Sequence, residues 1–353
     1  MADRVILHVG TPKAGTTYLQ TLLWANRARL AEAGVLLPGA RPFEHNQAAA
    51  AVRSGWAPRR VTTVWDRLHA EVMDHPGTAL LSNEWFALAG PARAREAVAR
   101  FGEAEVHVVV TARDLVSVVP AGWQETLKLG RGGSLADFIS GLEPPGERWG
   151  YWTLDPAWVL ERWAAGLDPA RVHVVTVPTR RDEPDQLWQR FASVVGIADG
   201  VVDVSAGARA NESLSVESAR LLEVLGPRLR EAVEADEHMW SGYRWLRRYL
   251  SHTLLVPRKG GRIGLSAEQF KTLRKRSRKA AKELVKRGYH VVGDIEELNS
   301  VTHDSTLRQP EGIPDREVLE HAADLSADLL RALRETSDSG RPVPDNAEFS
   351  ERA

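Results

Sequence analysis

The residues near the amino terminus contain the pattern that most restricts how this chain can fold. The apolar run VILHV at residues 5–9 leads directly into the glycine-containing loop GTPKAGTT at residues 10–17. Leucines then recur at helical spacing, at positions 19, 22, 23 and 30, and Gly34 marks the expected end of that helix. A buried strand, a glycine loop and a helix in this order are typical of α/β proteins with a parallel sheet.

Three further segments favour the same fold class. They lie at residues 78–82, 106–112 and 172–177, and stretches with a helical pattern separate them. Parallel strands need such crossover connections. We therefore predict an α/β protein with three layers, in which helices flank a parallel sheet, followed by a helical C-terminal part.

Capping residues predict where several helices begin and end. Asp155 followed by Pro156 is typical of a helix start, and Pro184 and Gly196 bound another helix. After about residue 200 strand signals become rare, and a helix is predicted around residues 215–225. The later part of the chain is therefore expected to be mainly helical.

The domain organisation follows from this change of character. We predict an α/β domain over residues 1–298, whose helical C-terminal part begins at about residue 200. A helical extension is expected over residues 299–335. Residues 336–353 are polar and rich in Gly, Pro, Ser and Asp, so a disordered tail is expected there.

Composition excludes several classes of protein. The 353 residues carry a formal net charge of −1, which gives no field that would attract nucleic acid or an anionic membrane. Cysteine is absent, so a disulfide scaffold, a thiol nucleophile and a Cys-ligated zinc site are excluded. The N-terminus does not resemble a signal peptide, and no apolar run approaches the ~18 residues of a membrane span. A soluble cytoplasmic protein is expected.

The lysine in the glycine loop is displaced from its position in common nucleotide-binding loops. The Walker A pattern, G-x-x-x-x-G-K-[ST], places a lysine directly after the second glycine, for the β- and γ-phosphates. Here Gly10 and Gly15 keep the frame, Thr16 occupies the lysine position, and the lysine is Lys13. This pattern disfavours an NTPase and favours a donor with a single 5'-phosphate and a transferable group beside it.

The loop TPKAGTT at residues 11–17 resembles the 5'-phosphosulfate-binding loop of the PAPS-dependent sulfotransferases, where PAPS is 3'-phosphoadenosine-5'-phosphosulfate. Weaker likeness to bacterial members continues to about residue 298. The resemblance implies a P-loop-like fold, PAPS as the sulfuryl donor, 3',5'-ADP as the product and no metal. The residues that it implies for holding the donor are Lys13, Ala14, Gly15, Thr16 and Thr17.

The same family implies a second site, for the 3'-phosphate of the donor. The strand VVVTA at residues 108–112 ends at Arg113, which matches the family's phosphate-binding arginine. The expected serine eight residues later is Ala121, and Ser117, one helical turn after Arg113, is a candidate substitute.

A third stretch resembles the loop that closes over the 3'-phosphate in some members. It is PRKGGRIG at residues 257–264, and it implies Arg258, Lys259 and Gly260 as further donor contacts. Its spacing is one residue longer than the family pattern. A flexible basic linker explains this segment about as well.

Sulfuryl transfer requires an in-line acceptor, neutralisation of the leaving phosphate and a base for the acceptor proton. Lys13 is the candidate for stabilising the leaving group. His45 is the first candidate base, with Glu44 beside it as an alternative, and Glu84 follows a predicted strand at the edge where ligands bind. The expected acceptor is a hydroxyl or amine of a small molecule or carbohydrate, and a homodimer is a possible assembly.

Two other functions stay open at this point. A P-loop nucleotide kinase or NTPase would bind ATP together with Mg²⁺, and a non-catalytic protein would bind 3',5'-ADP without transferring a group. The basic stretch at residues 270–287 is interpreted first as a solvated helix face and second as an attractor of anionic acceptors.

Overall fold

The computed structural model describes residues 2–54, 59–143, 149–179, 185–207, 213–234 and 241–339. The chain divides into two compact units. The sheet unit comprises Met1–Val119, Gly141–Arg209 and Lys271–Thr302, and the helical unit comprises Pro120–Ser140, Ala210–Phe270 and His303–Ala353.

The sheet unit contains one six-stranded parallel sheet. Its strands are β1 (Arg4–Gly10), β2 (Val35–Leu36), β3 (Thr78–Ser82), β4 (Glu105–Ala112), β5 (Val172–Thr176) and β6 (His290–Val292). Their order across the sheet is β2-β3-β1-β4-β5-β6, and every neighbouring pair is parallel. The predicted α/β class, a parallel sheet flanked by helices with a helical C-terminal part, is confirmed.

Helices connect the strands and continue beyond the sheet. The α-helices are α1 (Thr16–Ala25), α2 (Arg27–Glu32), α3 (Pro42–Arg53), α4 (Arg59–Asp74), α5 (Pro91–Ala99), α6 (Leu115–Lys128), α7 (Leu135–Ser140), α8 (Tyr151–Leu154), α9 (Pro156–Trp163), α10 (Gln186–Val195), α11 (Val216–Glu234), α12 (Ala267–Lys286) and α13 (Asp315–Ser339). A π-helix covers Gly242–Leu255, and short 3₁₀ helices include Glu84–Leu88. α13 thus extends to Ser339, into the segment that was expected to be a disordered tail from residue 336. Residues 340–353 of that tail lie outside the described residues. Pro184, the expected start of a helix, also lies outside them.

The prediction of one helix up to Gly34 is wrong, because Asn26 separates α1 from α2. Its side chain is 4% exposed, and its Nδ2 donates to the Leu22 carbonyl at 3.0 Å. Its Oδ1 accepts from the Asp203 amide at 2.8 Å. An asparagine whose amide binds local and distant backbone groups competes with the continuing helix, so the chain changes direction there.

The two faces of the sheet bury alternate residues of each strand. Leu7 and Val108 face one layer of helices, while Ile6 and Val109 face the other, which includes α1 and α10. Burial on both sides explains the near-continuous apolar strands from which the sheet was predicted.

Three histidines on neighbouring strands form a hydrogen-bonded row at the amino ends of β4, β5 and β6. His107 Nδ1 lies 2.7 Å from His173 Nε2, and His173 Nδ1 lies 2.9 Å from His290 Nδ1. Glu105 Oε1 lies 3.0 Å from His107 Nε2 and completes the row. One proton on each ring satisfies every link, so the arrangement suits neutral imidazoles. Burial, His107, His290 and Arg4 lower the pKa of His173 to about 3.

The helical unit has its own apolar core and a buried ionic cluster. Trp123, Leu222 and Leu250 belong to that core. Lys128, only 1% exposed, donates to Glu125 Oε1 at 2.9 Å, and Arg247 Nε donates to Glu125 Oε2 at 3.1 Å. A buried lysine needs such a partner, and Glu125 supplies it.

Candidate active site

The glycine loop begins where β1 ends, between the carboxyl ends of β3 and β4. Thr11 fixes it to β4, because its backbone amide and its hydroxyl both donate to the Thr111 carbonyl, at 3.0 and 3.1 Å. Thr11 is fully buried. In open α/β sheets ligands bind outside the carboxyl ends of the strands, which is where this attachment holds the loop.

Two glycines are required by close approaches in this loop. Gly10 has φ +96°, and a Cβ there would lie 2.9 Å from the Glu84 Cα. Gly15 has φ +82°, and a Cβ there would overlap the Leu187 side chain of α10. The loop backbone is therefore pressed between the segment after β3 and α10, with no room for side chains at these positions.

Lys13 adopts a left-handed backbone conformation, with φ +63°, and no other non-glycine among the described residues has a positive φ. This conformation costs roughly 1–2 kcal/mol for a residue with a Cβ. Such outliers often occur where a loop holds a ligand. The side chain is partly exposed, as a group that meets a ligand should be.

The start of α1 is suited to an anion. Gly15 precedes the helix without a capping side chain, and the first turn contains no acidic residue. The first amides of a helix lack intrahelical partners and carry partial positive charge. Thr16 is 3% exposed, whereas Thr17 is open to solvent. Loop and helix start together form a cradle whose uncapped amides and lack of acidic residues suit an anion.

Glu84 lies directly against this cradle. It is the first residue of the 3₁₀ helix after β3, and Asn83 fixes that turn by donating its backbone amide to the His8 carbonyl at 3.0 Å. Gln20 of α1 donates its Nε2 to Glu84 Oε2 at 3.0 Å. The structure thus brings Glu84 and the loop containing Lys13 together at one edge of the sheet.

His45 lies within α3 and is fully buried. Its Nδ1 accepts from the Ser82 amide at 3.2 Å, and its Nε2 donates to the Pro38 carbonyl at 2.9 Å. Burial lowers the pKa of His45. A neutral ring with both nitrogens bonded to the backbone holds the strand and the segment around Pro38 together.

Glu44, the neighbouring alternative, is also engaged in the fold. Its Oε2 accepts from the Ala40 amide at 2.6 Å, at the amino end of α3. Its Oε1 pairs with Arg67 of α4 at 2.7 Å. These contacts account for both carboxylate oxygens.

Arg113 follows β4 at the same edge of the sheet as the loop. Asp114, 2% exposed, caps α6 by accepting from the Ser117 amide at 2.7 Å. Burial raises the pKa of Asp114, and the neighbouring Arg113 opposes that rise. Ser277 of α12 accepts from the Leu115 amide at 2.8 Å, so side chains cap the start of α6.

The segment containing Arg258, Lys259 and Gly260 belongs to the helical unit and is anchored within it. Arg258 pairs with Asp328 of α13. The amide of Gly261 donates to Glu217 Oε2 of α11 at 3.1 Å. These contacts give the segment a defined structure inside its own unit.

Gln20 and Asn83 are site residues that the sequence reasoning missed. Gln20 stands four residues after Thr16, so the two residues lie on the same side of α1. This spacing is visible in the sequence and could have identified Gln20. Asn83 directly precedes Glu84. Its importance depends on the His8 carbonyl, which only the strand pairing brings near.

No group of three or more His, Asp or Glu side chains within the described ranges of the chain is arranged to hold a metal ion. Within the same ranges no helix is both long and apolar enough to cross a membrane.

Comparison with known proteins yields a distant structural likeness. No family model matches the chain, and no curated protein matches it. Among solved structures, it is similar to the crystal structure of a sulfotransferase from Alicyclobacillus acidocaldarius, with 15% sequence identity and a TM-score of 0.39. The matched region covers 68% of this chain and 98% of that one.

Proposed function

We propose that this protein transfers a sulfuryl group from PAPS to a hydroxyl or amine of a small-molecule or carbohydrate acceptor. The observation that carries the proposal is the loop between β1 and α1. It is a phosphate cradle in which Lys13 is held in a left-handed conformation and Thr16 replaces the Walker lysine. A loop of this kind suits a 5'-phosphate with one transferable group better than a triphosphate with Mg²⁺.

Both phosphates of the donor have candidate partners in the sheet unit. The first amides of α1 and the hydroxyls of Thr16 and Thr17 would hold the 5'-phosphate. Lys13 would neutralise the charge that develops on that phosphate as the bond to sulfur breaks. Arg113, at the end of the adjacent strand, would bind the 3'-phosphate, with Ser117 as its neighbour on α6.

Glu84 is the base that the geometry favours. The acceptor oxygen forms the new bond to sulfur, the bridging bond to the 5'-phosphate breaks, and the acceptor proton passes to the Glu84 carboxylate. Glu84 lies beside Gly10 and is oriented by Gln20. His45 is fully enclosed with both ring nitrogens engaged, so a role in holding the fold suits it better.

Calorimetry with nucleotides tests the donor site. We expect 3',5'-ADP to bind without added Mg²⁺, and Lys13→Ala and Arg113→Ala each to weaken binding about 10- to 100-fold, the usual cost of a lost charge-assisted contact. Lys286→Ala removes the same charge from an exposed position of α12 and serves as the control. Selective binding of ATP with Mg²⁺ would instead identify a nucleotide kinase or NTPase.

Transfer of labelled sulfate from PAPS to a panel of sugars, phenols and amines tests the chemistry. We expect Glu84→Gln to lower kcat by about 10²–10⁴ while leaving 3',5'-ADP binding unchanged. His45→Gln should lower thermal stability and leave kcat near that of the wild type. Loss of transfer in a folded His45→Gln protein would assign the base to His45, and no transfer to any acceptor would favour a non-catalytic binder.

A further inference from the structure

One face of α13 is apolar and open to solvent. Leu319, Leu330 and Leu333 are 69%, 67% and 63% exposed. Together with Ala323 and Ser326 they are spaced by alternating steps of four and three residues, which is the spacing of a coiled-coil seam. We call these five residues the α13 seam.

The α13 seam is separate from the face that holds α13 in the helical unit. On that inner face Leu325 is 3% exposed and belongs to the unit's core. His321 Nε2 lies 2.9 Å from the Ser218 hydroxyl of α11. The helix is therefore anchored without the seam, and three large exposed apolar side chains in one row are typical of an interaction surface.

We propose that the α13 seam pairs with the seam of a second copy of this chain, with the two helices antiparallel, to form a twofold dimer. An antiparallel pair centred between Ala327 and Asp328 places large residues opposite small ones. Leu330 then faces Ser326 of the other copy, and Leu333 faces Ala323. Such alternation lets two helices approach closely without leaving voids.

Charges beside the seam are complementary in this orientation. Glu320 and Arg334 lie on the same side of the seam, seven residues before and seven residues after Ala327. In the antiparallel dimer Glu320 of each copy lies beside Arg334 of the other. A parallel in-register pair would instead place Glu320 beside Glu320 and Arg334 beside Arg334, so that like charges meet. Glu320 also pairs with Arg316 at 3.0 Å, but both side chains are exposed and such a pair holds weakly.

Sedimentation of the full chain over a range of concentrations tests the dimer. We expect a reversible monomer–dimer equilibrium, and Leu330→Lys should raise its dissociation constant at least tenfold because it places a charge in the apolar contact. Val285→Lys makes the same change at another exposed apolar position, on α12, and should leave the equilibrium unaltered. A chain that stays monomeric at every concentration would overturn the proposal. This outcome includes the case in which the chain's own residues after Ser339 cover the seam.

Charge reversal tests the pairing directly. Glu320→Arg and Arg334→Glu should each raise the dissociation constant roughly fivefold, since each sets like charges beside one another at two symmetric contacts. The double variant should restore wild-type affinity. Additive weakening in the double variant would mean that these residues do not meet across the interface.

The absence of cysteine allows the orientation to be measured by cross-linking. In a chain with Ala327→Cys, the two cysteines lie near the twofold axis, and a short bis-maleimide should join the copies. In a chain with Arg316→Cys they lie about 35 Å apart along the helix axis, so no cross-link is expected. Efficient cross-linking through position 316 would contradict the antiparallel arrangement.

Discussion

At the scale of single residues, the glycine loop is held by close backbone contacts and by Thr11. Gly10 and Gly15 are in close contact with neighbouring elements, and Thr11 is bonded to β4 twice. Among the non-glycine residues that the structure describes, Lys13 alone has a left-handed backbone. The loop is thus pre-shaped, and Lys13 carries a conformational cost that its position in the loop imposes.

The cost at Lys13 predicts that two variants lacking the amine differ in stability. We expect Lys13→Gly to have a free energy of unfolding about 1 kcal/mol higher than Lys13→Ala, because alanine keeps the left-handed penalty and glycine removes it. Urea denaturation of both proteins measures the difference. Both should bind 3',5'-ADP equally weakly, and equal stabilities would mean that the loop relaxes when the lysine is removed.

The position of the glycine loop could be predicted from a local pattern, whereas burial that depends on distant contacts could not. The loop from Gly10 to Thr17 is a contiguous pattern, so its position after a strand was predictable. The burial of His45 depends on the Ser82 amide and the Pro38 carbonyl, groups that only the folded chain brings to its ring. The positions of His45 and its neighbours in the sequence therefore did not indicate that its ring is buried.

At the scale of elements, α12 contributes more than a charged surface. Its Ser277 is 1% exposed and caps α6, and its Arg276 pairs with the buried Asp155 at 2.6 Å. The same guanidinium lies over the rings of Tyr151 and Trp158. This basic helix thus combines exposed lysines with buried polar contacts inside the sheet unit, a mixture that charge pattern alone does not reveal.

The contact made by Ser277 predicts a loss of stability. Ser277→Ala leaves the Leu115 amide buried without its acceptor, so we expect the free energy of unfolding to fall by about 1–2 kcal/mol. Ser193→Ala removes an exposed hydroxyl that donates to the Arg190 carbonyl of its own helix and should change stability by less than about 0.5 kcal/mol. Chemical denaturation compares the two, and equal losses would contradict the capping role.

The histidine row predicts acid sensitivity of the sheet. Because the folded state lowers the pKa of His173 to about 3, the unfolded chain takes up a proton below about pH 6.5 that the folded chain does not. Stability should therefore fall as the pH drops from 6.5 towards 3 and be unaffected by this group above 7.

Burial lowers the pKa of His8 and of His45 as well, so both histidines also make the folded protein less stable in acid. A substitution of His173 is therefore needed to separate its contribution from theirs. Between pH 7.5 and 5.0 we expect His173→Gln to lose about 2 kcal/mol less than the wild type, because the folded-state pKa of His173 is lowered to about 3. Urea denaturation at the two pH values measures both losses. Identical losses would show that His173 is protonated in the folded protein.

The elements that were predicted accurately are those with an unambiguous periodicity. The strand at residues 78–82 agrees with β3 at both ends, and Gly196 ends α10 in a left-handed conformation as expected. The two-residue β2 is too short to leave a pattern. The break at Asn26 depends on the backbone of Asp203, far away in the chain, so helical spacing alone predicted a continuous helix.

At the scale of the whole molecule, positive and negative charges nearly cancel. The formal net charge of −1 and a calculated isoelectric point of about 6.9 leave little repulsion between copies near neutral pH. We therefore expect solubility to pass through a minimum near pH 7 and to rise by pH 8.5, as measured by precipitation with polyethylene glycol. A solubility that does not vary across this range would show that net charge does not limit it.

The order of strands along the chain has a consequence for synthesis on the ribosome. The first five strands, which are neighbours in the sheet, are all complete once Thr176 has been made, so most of the sheet can assemble while translation continues. The strand β6, at residues 290–292, pairs with β5 only after more than a hundred further residues have been made. During that interval the outer edge of β5 is an unpaired strand edge on the nascent chain, and it is the place where a chaperone would be of most use.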